Sequence, residues 1–597
     1  MDDGITAWLA RFDTALHDDD PRAVAALFEP AGFWRDLLSF TWNIATLEGR
    51  DAIADMLAAC LAATRPWGWR QDGPAEATED GLAAWIAFET DAASCKGRVT
   101  IRDGLCHVLL TAMDELKGHE EPKGARRPMG LEHKSVRDRE TWSEARARTT
   151  ARLGAEDQPE VLIIGGGQGG VALAARLKHL DVPTLIVEKN PRIGDSWRDR
   201  YRSLVLHDPV WYDHLPYLPF PETWPVFCPK DKIGDWLEAY ALIFELDAWT
   251  SSTCEAARWD PDAGRWIASV RHEGKDVTVS PRQLVFCTGA YGPPREPDFP
   301  GQDAFEGTIL HSSRYHSGAD FKGKRALVIG AGSSAHDVAA DLWEAGAEVT
   351  MLQRRPSIVV RSETLMRHGF DLYSQEAVER GLTTETADLL AASTPFAMFC
   401  EKQKRVYETI RAEDAHFYAR LGAAGFAFDF GEDGSGLMSR ALRTASGYYI
   451  DVGASSLIAD GEIAIVAGEE IDRLTPAGAR FRSGREVEVD VIIACTGYQS
   501  MHETVAGIVD RETADRVGPC WGLGSGIPGD PGPWLGELRN MWKPTAQEGL
   551  WFHGGNLALS RFYSKFVALQ LKARCEGLPT PVHASRSTGS AAMSPEG

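Results

Sequence analysis

Two stretches of the sequence carry glycines at a spacing that suits the binding of phosphate groups. In the first stretch an apolar run leads into Gly165, Gly167 and Gly170, which form the pattern G-x-G-x-x-G. The first glycine permits a tight turn, the second lets the backbone approach a pyrophosphate, and the third lets the next helix pack on the strand. The helix predicted over Val171–Leu180 would then point its free N–H groups at that pyrophosphate.

An acidic residue completes the first stretch. Thr184–Val187 is predicted to form a second strand, and Glu188 follows it 23 residues after Gly165. This is near the spacing of the acid that accepts hydrogen bonds from ribose hydroxyls. The order of strand, turn, helix, strand and acid predicts a dinucleotide site over Val161–Lys189. A glycine-rich turn in an ordinary α/β domain is the alternative, because the glycine pattern alone is a weak signal.

The second stretch, Arg325–Arg355, repeats this order. Gly330 and Gly332 take the first two glycine positions, and Ala335 takes the third, which tolerates alanine. Two such units in one chain are a more specific signal than either unit alone. We therefore predict two dinucleotide sites.

The two units differ at the acidic position. Gln353 stands where the first unit has Glu188, and Arg354 and Arg355 follow at once. A carboxylate would repel a 2′-phosphate, whereas arginine can bind it with two parallel hydrogen bonds. We therefore expect a dinucleotide with a free ribose at the first unit and NADPH at the second. A surface ion pair is the alternative role for Arg354.

The composition disfavours several classes of function. The net charge of −23 argues against nucleic acid and anionic membranes as partners. None of the ten cysteines forms C-x-x-C, so neither a metal centre nor a dithiol disulfide reductase is indicated. The sequence starts without a basic leader and has no run of 18 apolar residues, so we expect a cytoplasmic protein with no stable membrane anchor.

The first 115 residues are predicted to form a domain of their own. Helical spacing at Ile5–Leu16, Arg22–Phe28 and Arg50–Ala63 precedes alternating, strand-like segments at Gly81–Thr90 and Lys96–Thr111. This order resembles the NTF2-like (SnoaL-like) family of α+β cones, whose members hold an apolar ligand or serve as dimerisation modules.

We interpret three aromatic residues of this domain, Trp34, Phe40 and Trp42, as core residues rather than ligand contacts. A homodimer formed through the domain is one expectation from the resemblance. The charged segment that follows it is predicted to be a linker that becomes helical over Ser135–Leu153.

A motif between the two glycine stretches carries a second resemblance. Phe305, Gly307, His311 and Tyr315 form F-x-G-x-x-x-H-x-x-x-Y. This resembles the signature of the class B flavin-dependent monooxygenases, which include flavin-containing monooxygenases and plant YUCCA-type enzymes. The Baeyer–Villiger branch normally has Trp where this chain has Tyr315, which favours the first group. The resemblance extends over roughly residues 158–575.

The resemblance implies FAD at the first unit and NADPH, which reduces it, at the second. The reduced flavin would react with O₂ to form a C4a-(hydro)peroxide, which inserts one oxygen atom into a small organic substrate by N-, S- or carbonyl-directed oxygenation. A Baeyer–Villiger-type monooxygenase and an NADPH oxidase are the alternative enzymes. A ligand-binding module on a degenerate flavoprotein is the non-enzymatic alternative.

The predicted fold class is α/β, with two Rossmann-type domains for FAD and NADPH and a helical insertion, preceded by the α+β NTF2-like domain. The C-terminal tail is predicted to be disordered. The predicted parts are 1–115 (NTF2-like domain), 116–158 (charged linker), 159–320 (first part of the FAD domain), 321–490 (NADPH domain with an insertion at about 360–450), 491–575 (second part of the FAD domain) and 576–597 (tail).

The glycine loops and the resemblance together give the candidate site residues, and no metal site is predicted. The candidate FAD-binding residues are Gly165, Gly167, Gln168, Gly170, Glu188, Lys189, Gly194, Trp197 and Asn556. The candidate NADPH-binding residues are Gly330, Gly332, Ser333, Ser334, Arg354 and Arg355.

Three further residues are assigned by the resemblance. His207 aligns with a position that in many family members holds an asparagine near the flavin, so it is the candidate catalytic residue. A purely structural histidine is the alternative. His311 and Tyr315 of the signature motif are expected to connect the two domains rather than to act as an acid or a base.

Overall fold

The fold is taken from a computed structural model, which describes residues 2–130, 135–289, 292–523 and 537–583. Three helices and seven strands form the N-terminal region. Its helices are α1 (Asp2–His17), α2 (Pro21–Ala26) and α3 (Gly49–Thr64). Its strands are β1 (Phe28–Leu37), β2 (Ile44–Glu48), β3 (Trp67–Gln71), β4 (Glu76–Thr78), β5 (Gly81–Glu89), β6 (Ala93–Arg102) and β7 (Leu105–Leu116).

These strands form one sheet in the order β2-β1-β7-β6-β5-β3, with β4 paired to β5. Every pairing is antiparallel except that of β1 with β7. Trp34, Phe40 and Trp42 are buried in an aromatic core, which confirms that they are core residues. The likeness to NTF2-like cones stays a prediction.

The middle of the chain contains the linker helix and the elements of the first nucleotide unit. The helices are α4 (Trp142–Arg152), α5 (Gln168–His179), α6 (Asp195–Arg198) and α7 (Lys230–Ile243). The strands are β8 (Val161–Ile164), β9 (Thr184–Val187), β10 (Ala248–Trp249), β11 (Thr253–Asp260), β12 (Arg265–His272), β13 (Lys275–Val279) and β14 (Gln283–Phe286).

The remainder contains the second nucleotide unit, the insertion and the C-terminal helix. The strands are β15 (Thr308–His311), β16 (Arg325–Ile329), β17 (Glu348–Gln353), β18 (Ser357–Arg361), β19 (Phe428–Asp429), β20 (Tyr448–Asp451), β21 (Ile463–Ala467), β22 (Ile471–Thr475), β23 (Gly478–Phe481), β24 (Glu486–Glu488), β25 (Val491–Ala494) and β26 (Leu550–Phe552). The helices are α8 (Ser333–Glu344), α9 (Ser362–Gly369), α10 (Gln375–Glu379), α11 (Thr384–Ala392), α12 (Phe396–Glu413), α13 (Ala415–Ala423), α14 (Gly436–Thr444), α15 (Ala454–Ala459), α16 (His502–Ile508), α17 (Arg511–Val517) and α18 (Leu557–Cys575).

Two parallel five-stranded sheets carry the two glycine loops. The first has the order β10-β9-β8-β14-β26 and the second has the order β15-β25-β16-β17-β21. In each sheet the loop follows the central strand, β8 or β16, because a parallel strand and its crossover helix bring the turn to the carboxyl edge. The α/β class with two units of Rossmann type is therefore observed.

Several predicted boundaries differ from the structure. The helix predicted over Ser135–Leu153 begins only at Trp142, because Thr141 and Glu144 form a capping box there. The helix predicted to include Phe28 ends at Ala26, and Phe28 begins β1. The tail predicted to be disordered lies outside the described residues from residue 584 onward.

Sheet membership also departs from the predicted domain boundaries. β15 was assigned with the FAD domain and β25 begins the segment assigned to its second part, yet both strands pair within the second sheet. The remaining boundaries stay predictions. The insertion predicted at about 360–450 is largely helical, with α9 to α14 beside the short parallel sheet β19-β18-β20.

Candidate functional site: two nucleotide loops on one cavity

The first glycine loop passes against the end of β14. Gly165 has a φ of +105°, and a Cβ atom there would lie 2.5 Å from the carbonyl oxygen of Cys287. A Cβ on Gly170 would lie 2.0 Å from the carbonyl oxygen of Gly165. Both positions therefore require glycine for the packing of the protein itself.

Gly167 is different, because its neighbours leave room. It is the N-cap residue of α5 with a φ of −72°, and the nearest atom to a Cβ would be Ser196 Oγ at 3.7 Å. Gly167 also lines the large cavity described below. The space beside it is therefore available to a ligand, as the approach of a pyrophosphate to the backbone requires.

The predicted ribose acid is held against the loop. The Glu188 carboxylate accepts hydrogen bonds from the Gly166 N–H at 2.7 Å and from the Asn190 N–H at 2.8 Å. Gln168 connects two further turns, because its amide donates to the Gly555 carbonyl at 3.0 Å and accepts from the Trp197 indole N–H at 3.2 Å. The loop, the turn at Trp197 and the turn before α18 are thus fixed together.

The other predicted FAD residues divide into two groups. Lys189 is exposed and lines the cavity, as does Asn556, whose side chain caps α18 by accepting from the Leu559 N–H at 2.9 Å. Gly194 is not among the lining residues. It has a φ of +90°, and its Cβ would lie 2.1 Å from the Gly234 carbonyl oxygen, so its place is in packing against α7.

The second loop repeats the geometry of the first. Gly330 has a φ of +126°, and a Cβ there would lie 2.6 Å from the carbonyl oxygen of Cys495, at the end of β25. Gly332 is the N-cap of α8, and the nearest atom to its Cβ would be 3.7 Å away. Ser333 and Ser334 follow in the first turn of α8 and line the cavity.

Gln353, which stands where the first unit has Glu188, has a structural role in the second unit. The buried Gln353 amide donates to the Ala427 carbonyl at 2.7 Å and accepts from the Ala427 N–H at 2.8 Å. Gln353 thereby anchors the insertion to the end of β17. Arg354 and Arg355 are exposed and line the cavity, so two guanidinium groups follow the end of β17.

Both loops open onto one cavity of about 2540 Å³. A drug-sized ligand typically occupies a pocket of roughly 300–1,000 Å³. The cavity is therefore large enough for two dinucleotides and a substrate. Its further walls come from the insertion, the C-terminal helix and the N-terminal sheet.

The signature motif is fixed within the second unit by His311, at the end of β15. Its Nε2 lies 3.1 Å from the Gly497 carbonyl oxygen, to which the N–H donates, and its Nδ1 accepts from the Ser313 N–H at 3.1 Å. Burial lowers the pKa of His311. The ring is therefore a neutral structural link between the motif and the turn after β25.

Tyr315 is buried as well and reaches α8. Its hydroxyl donates to Asp341 Oδ2 at 2.5 Å, and the same oxygen accepts from the Gly318 N–H at 2.6 Å. Neither His311 nor Tyr315 lines the cavity, whereas Ser312 and Ser313 between them do. The motif therefore positions a cavity wall through residues that the sequence pattern does not single out.

His207 forms an ion pair with the second unit rather than facing the cavity. Its Nε2 lies 3.3 Å from Asp337 Oδ1 on α8, and the Tyr201 hydroxyl donates to Asp337 Oδ2 at 2.5 Å. Burial acts to lower the pKa of His207, but the hydrogen bond and charge of Asp337 outweigh it and raise the pKa. His207 is not among the described lining residues, and its catalytic role stays a prediction.

The fold and the site together define a protein of α/β class with two glycine loops of dinucleotide-binding type on one shared cavity. A family model described as Flavin-binding monooxygenase-like matches residues 160–389. Indole-3-pyruvate monooxygenase YUCCA1 of Oryza sativa subsp. japonica is 33% identical over 343 residues, which cover 57% of this chain and 77% of the relative. Indole-3-pyruvate monooxygenase YUCCA6 of Arabidopsis thaliana is 32% identical over 352 residues, with 57% and 76% covered.

Among solved structures, cyclohexanone monooxygenase with bound ε-caprolactone matches with a TM-score of 0.50 and 18% identity, over 70% of this chain and 88% of that chain. This likeness concerns the fold alone. The chain belongs to the class B flavin-dependent monooxygenase family. It is therefore an enzyme, an oxidoreductase, rather than a ligand-binding module. Within the described residues, none of the helices is both long and apolar enough to cross a membrane.

We expect Gly167→Val to fold but to retain no flavin, because the added Cβ would meet no protein atom closer than Ser196 Oγ at 3.7 Å, whereas the side chain would occupy the space of the pyrophosphate. Bound flavin per chain and the unfolding temperature of the apoprotein are the measurements. Gly165→Val is the contrast, since its Cβ meets the Cys287 carbonyl and it should lose the fold itself. A folded, fully flavinated Gly167→Val protein would place the cofactor elsewhere.

We expect His207→Gln to lower the unfolding temperature mainly at low pH. The pKa of His207 is raised in the folded protein, so its pair with Asp337 stabilises the fold most at low pH. This stabilisation is fully present below the unfolded pKa of about 6.5 and is lost as the pH rises through the folded pKa. Unfolding temperatures between pH 5.5 and 8.5 test this, with exposed His416→Gln as the control. If His207 were catalytic instead, His207→Gln would release more H₂O₂ per NADPH consumed and would leave the unfolding temperature unchanged.

Proposed function

We propose that this enzyme binds FAD at the first glycine loop and NADPH at the second, and transfers one oxygen atom from O₂ to a small organic substrate. The observation that carries the proposal is the pair of equivalent loops on one cavity, with a carboxylate at the first and guanidinium groups at the second. Bound FAD and NADPH would supply the redox chemistry with O₂.

The residues present fit both groups. At each loop the second glycine, Gly167 or Gly332, faces space that a Cβ would partly fill, and the following helix directs unpaired N–H groups toward it. Glu188 suits the ribose hydroxyls of FAD. Arg354 suits the 2′-phosphate of NADPH, because a guanidinium pairs with phosphate oxygens in a fixed geometry.

The task of the chain is to bind, to orient and to exclude water. His311 and Tyr315 hold the signature motif against the turn after β25 and against α8, within the second unit. Tyr201 and His207 of the first unit bond to Asp337 on α8, and these contacts fix how the two loops lie relative to each other. The insertion covers one side of the cavity and is held to the second unit by Gln353. Walls of this kind limit the access of water, which would otherwise compete with the substrate.

The purified holoenzyme should consume NADPH and O₂ and place one labelled atom from ¹⁸O₂ in the product. Two of the relatives described above are named for indole-3-pyruvate, which makes this 2-oxo acid the first substrate to test, followed by amines, sulfides and ketones. A ketone converted to an ester would favour the Baeyer–Villiger alternative. Conversion of all O₂ to H₂O₂ with every substrate would favour the NADPH oxidase.

Arg354→Ala should weaken the binding of NADPH by ~1–3 kcal/mol and leave the binding of NADH nearly unchanged. Only NADPH carries the phosphate with which the guanidinium pairs. The rate of flavin reduction as a function of each coenzyme's concentration measures this. Arg354→Lys should recover part of the loss, since it restores the charge without the two-pronged geometry. An equal loss for NADPH and NADH would refute the assignment of Arg354 to the 2′-phosphate.

A further inference from the structure

One face of the N-terminal sheet is directed at the cavity. Arg35 on β1 and Arg98 on β6 both pair with Leu110 on β7, so the three residues form a row across the sheet. The next row on the same face contains the paired residues Thr100 and Val108. The two arginines, Thr100 and Val108 all line the cavity that the nucleotide loops share.

Side chains alternate along these strands, so the residues between those of the cavity face point to the opposite face of the sheet. Trp34, Val99 and Leu109 are fully buried in the core of the N-terminal region, together with aromatic residues of α1. Because side chains alternate along a strand, the sheet has a helix-covered face and a cavity face. The family-model match begins at residue 160, so this face lies outside it.

Arg35 fixes this face to the rest of the enzyme. Its guanidinium pairs with both carboxylate oxygens of Glu537, at 2.7 and 3.0 Å, and donates to the Ala392 carbonyl at 2.8 Å and the Tyr563 hydroxyl at 3.0 Å. The Tyr563 ring in turn stacks on Trp542 at 3.7 Å. One buried side chain therefore ties the sheet to the insertion and to α18.

Two more ion pairs connect the N-terminal region to α18 and to the insertion. Lys565 on α18 pairs with Asp114, and Lys402 on α12 pairs with Asp80 at 2.6 Å. These lysines are partly exposed, so each pair stabilises the contact modestly. The buried Arg35 pair has two parallel charge-assisted hydrogen bonds, so its geometry is more closely defined than that of the lysine pairs.

We propose that the cavity face of the N-terminal sheet is the outer wall of the substrate chamber. Thr100 and Val108 set the size of substrate that the chamber accepts, and Arg35 is the positioning residue that holds the wall in place. The inference rests on the proposed function, because the chamber is where an oxygenase would hold its organic substrate beside the nucleotides. It assigns the N-terminal domain a part in substrate choice.

The wall is tested with Thr100→Trp in the full-length holoenzyme, with Ala7→Trp on the exposed side of α1 as the matched control. The probes are methyl phenyl sulfide and the bulkier diphenyl sulfide, titrated into the oxidised enzyme. The dissociation constant of diphenyl sulfide should rise by about tenfold or more in Thr100→Trp, with a smaller change for methyl phenyl sulfide. Flavin reduction by NADPH should keep its wild-type rate.

Unchanged binding of both sulfides to a folded Thr100→Trp enzyme would overturn the wall, as would no binding of either sulfide to the wild type. Because these are binding constants, they are informative even if the wild type oxygenates neither probe. Failure of the wild type to oxygenate either sulfide would count against the proposed function and not against the assignment of the wall.

The positioning role is tested with Arg35→Met combined with Glu537→Met, since removal of Arg35 alone leaves a buried carboxylate without its partner. The double variant should bind both sulfides more weakly and release more H₂O₂ per NADPH, with bound flavin and its reduction rate retained. Wild-type binding and coupling in the double variant would overturn the role of Arg35. A double variant that does not fold would show that the pair serves the stability of the fold, which would equally overturn a role confined to positioning.

Discussion

The architecture depends on one constraint, the close passage of each glycine turn against the end of a neighbouring strand. At Gly165 and Gly330 any side chain would lie within about 2.6 Å of a carbonyl oxygen, that of Cys287 or Cys495. This contact sets β14 beside β8 and β25 beside β16. It also aims the N-termini of α5 and α8 at the shared cavity, where backbone N–H groups and helix dipoles favour phosphate.

The residue at the end of the second strand differs between the two units and has a different role in each. Glu188 turns its carboxylate to the backbone of its own loop, whereas Gln353 bonds to Ala427 and holds the insertion. An amide can donate and accept at one peptide group, which a carboxylate cannot do. The change from acid to amide therefore removes a charge that would repel a phosphate and adds an anchor for a cavity wall.

The signature motif contributes by connection rather than by chemistry. His311 and Tyr315 are buried and bonded to the Gly497 carbonyl and to Asp341, so they hold the motif in place within the second unit. Tyr201 and His207 connect the first unit to the second through Asp337 on α8. Burial of these groups ties the stability of the fold to the relative placement of the two sites.

The sequence by itself determined the two loops, their order and their contrast, because glycine spacing, strand apolarity and the charge after each second strand are local properties. It also placed Trp34 and Phe40 in a core. Only the tertiary structure decided that β15 and β25 share the second sheet, that His207 pairs with Asp337, and that Arg35 reaches Glu537. Those contacts join residues far apart in the chain, and pairing of that kind depends on the assembled packing rather than on any local pattern.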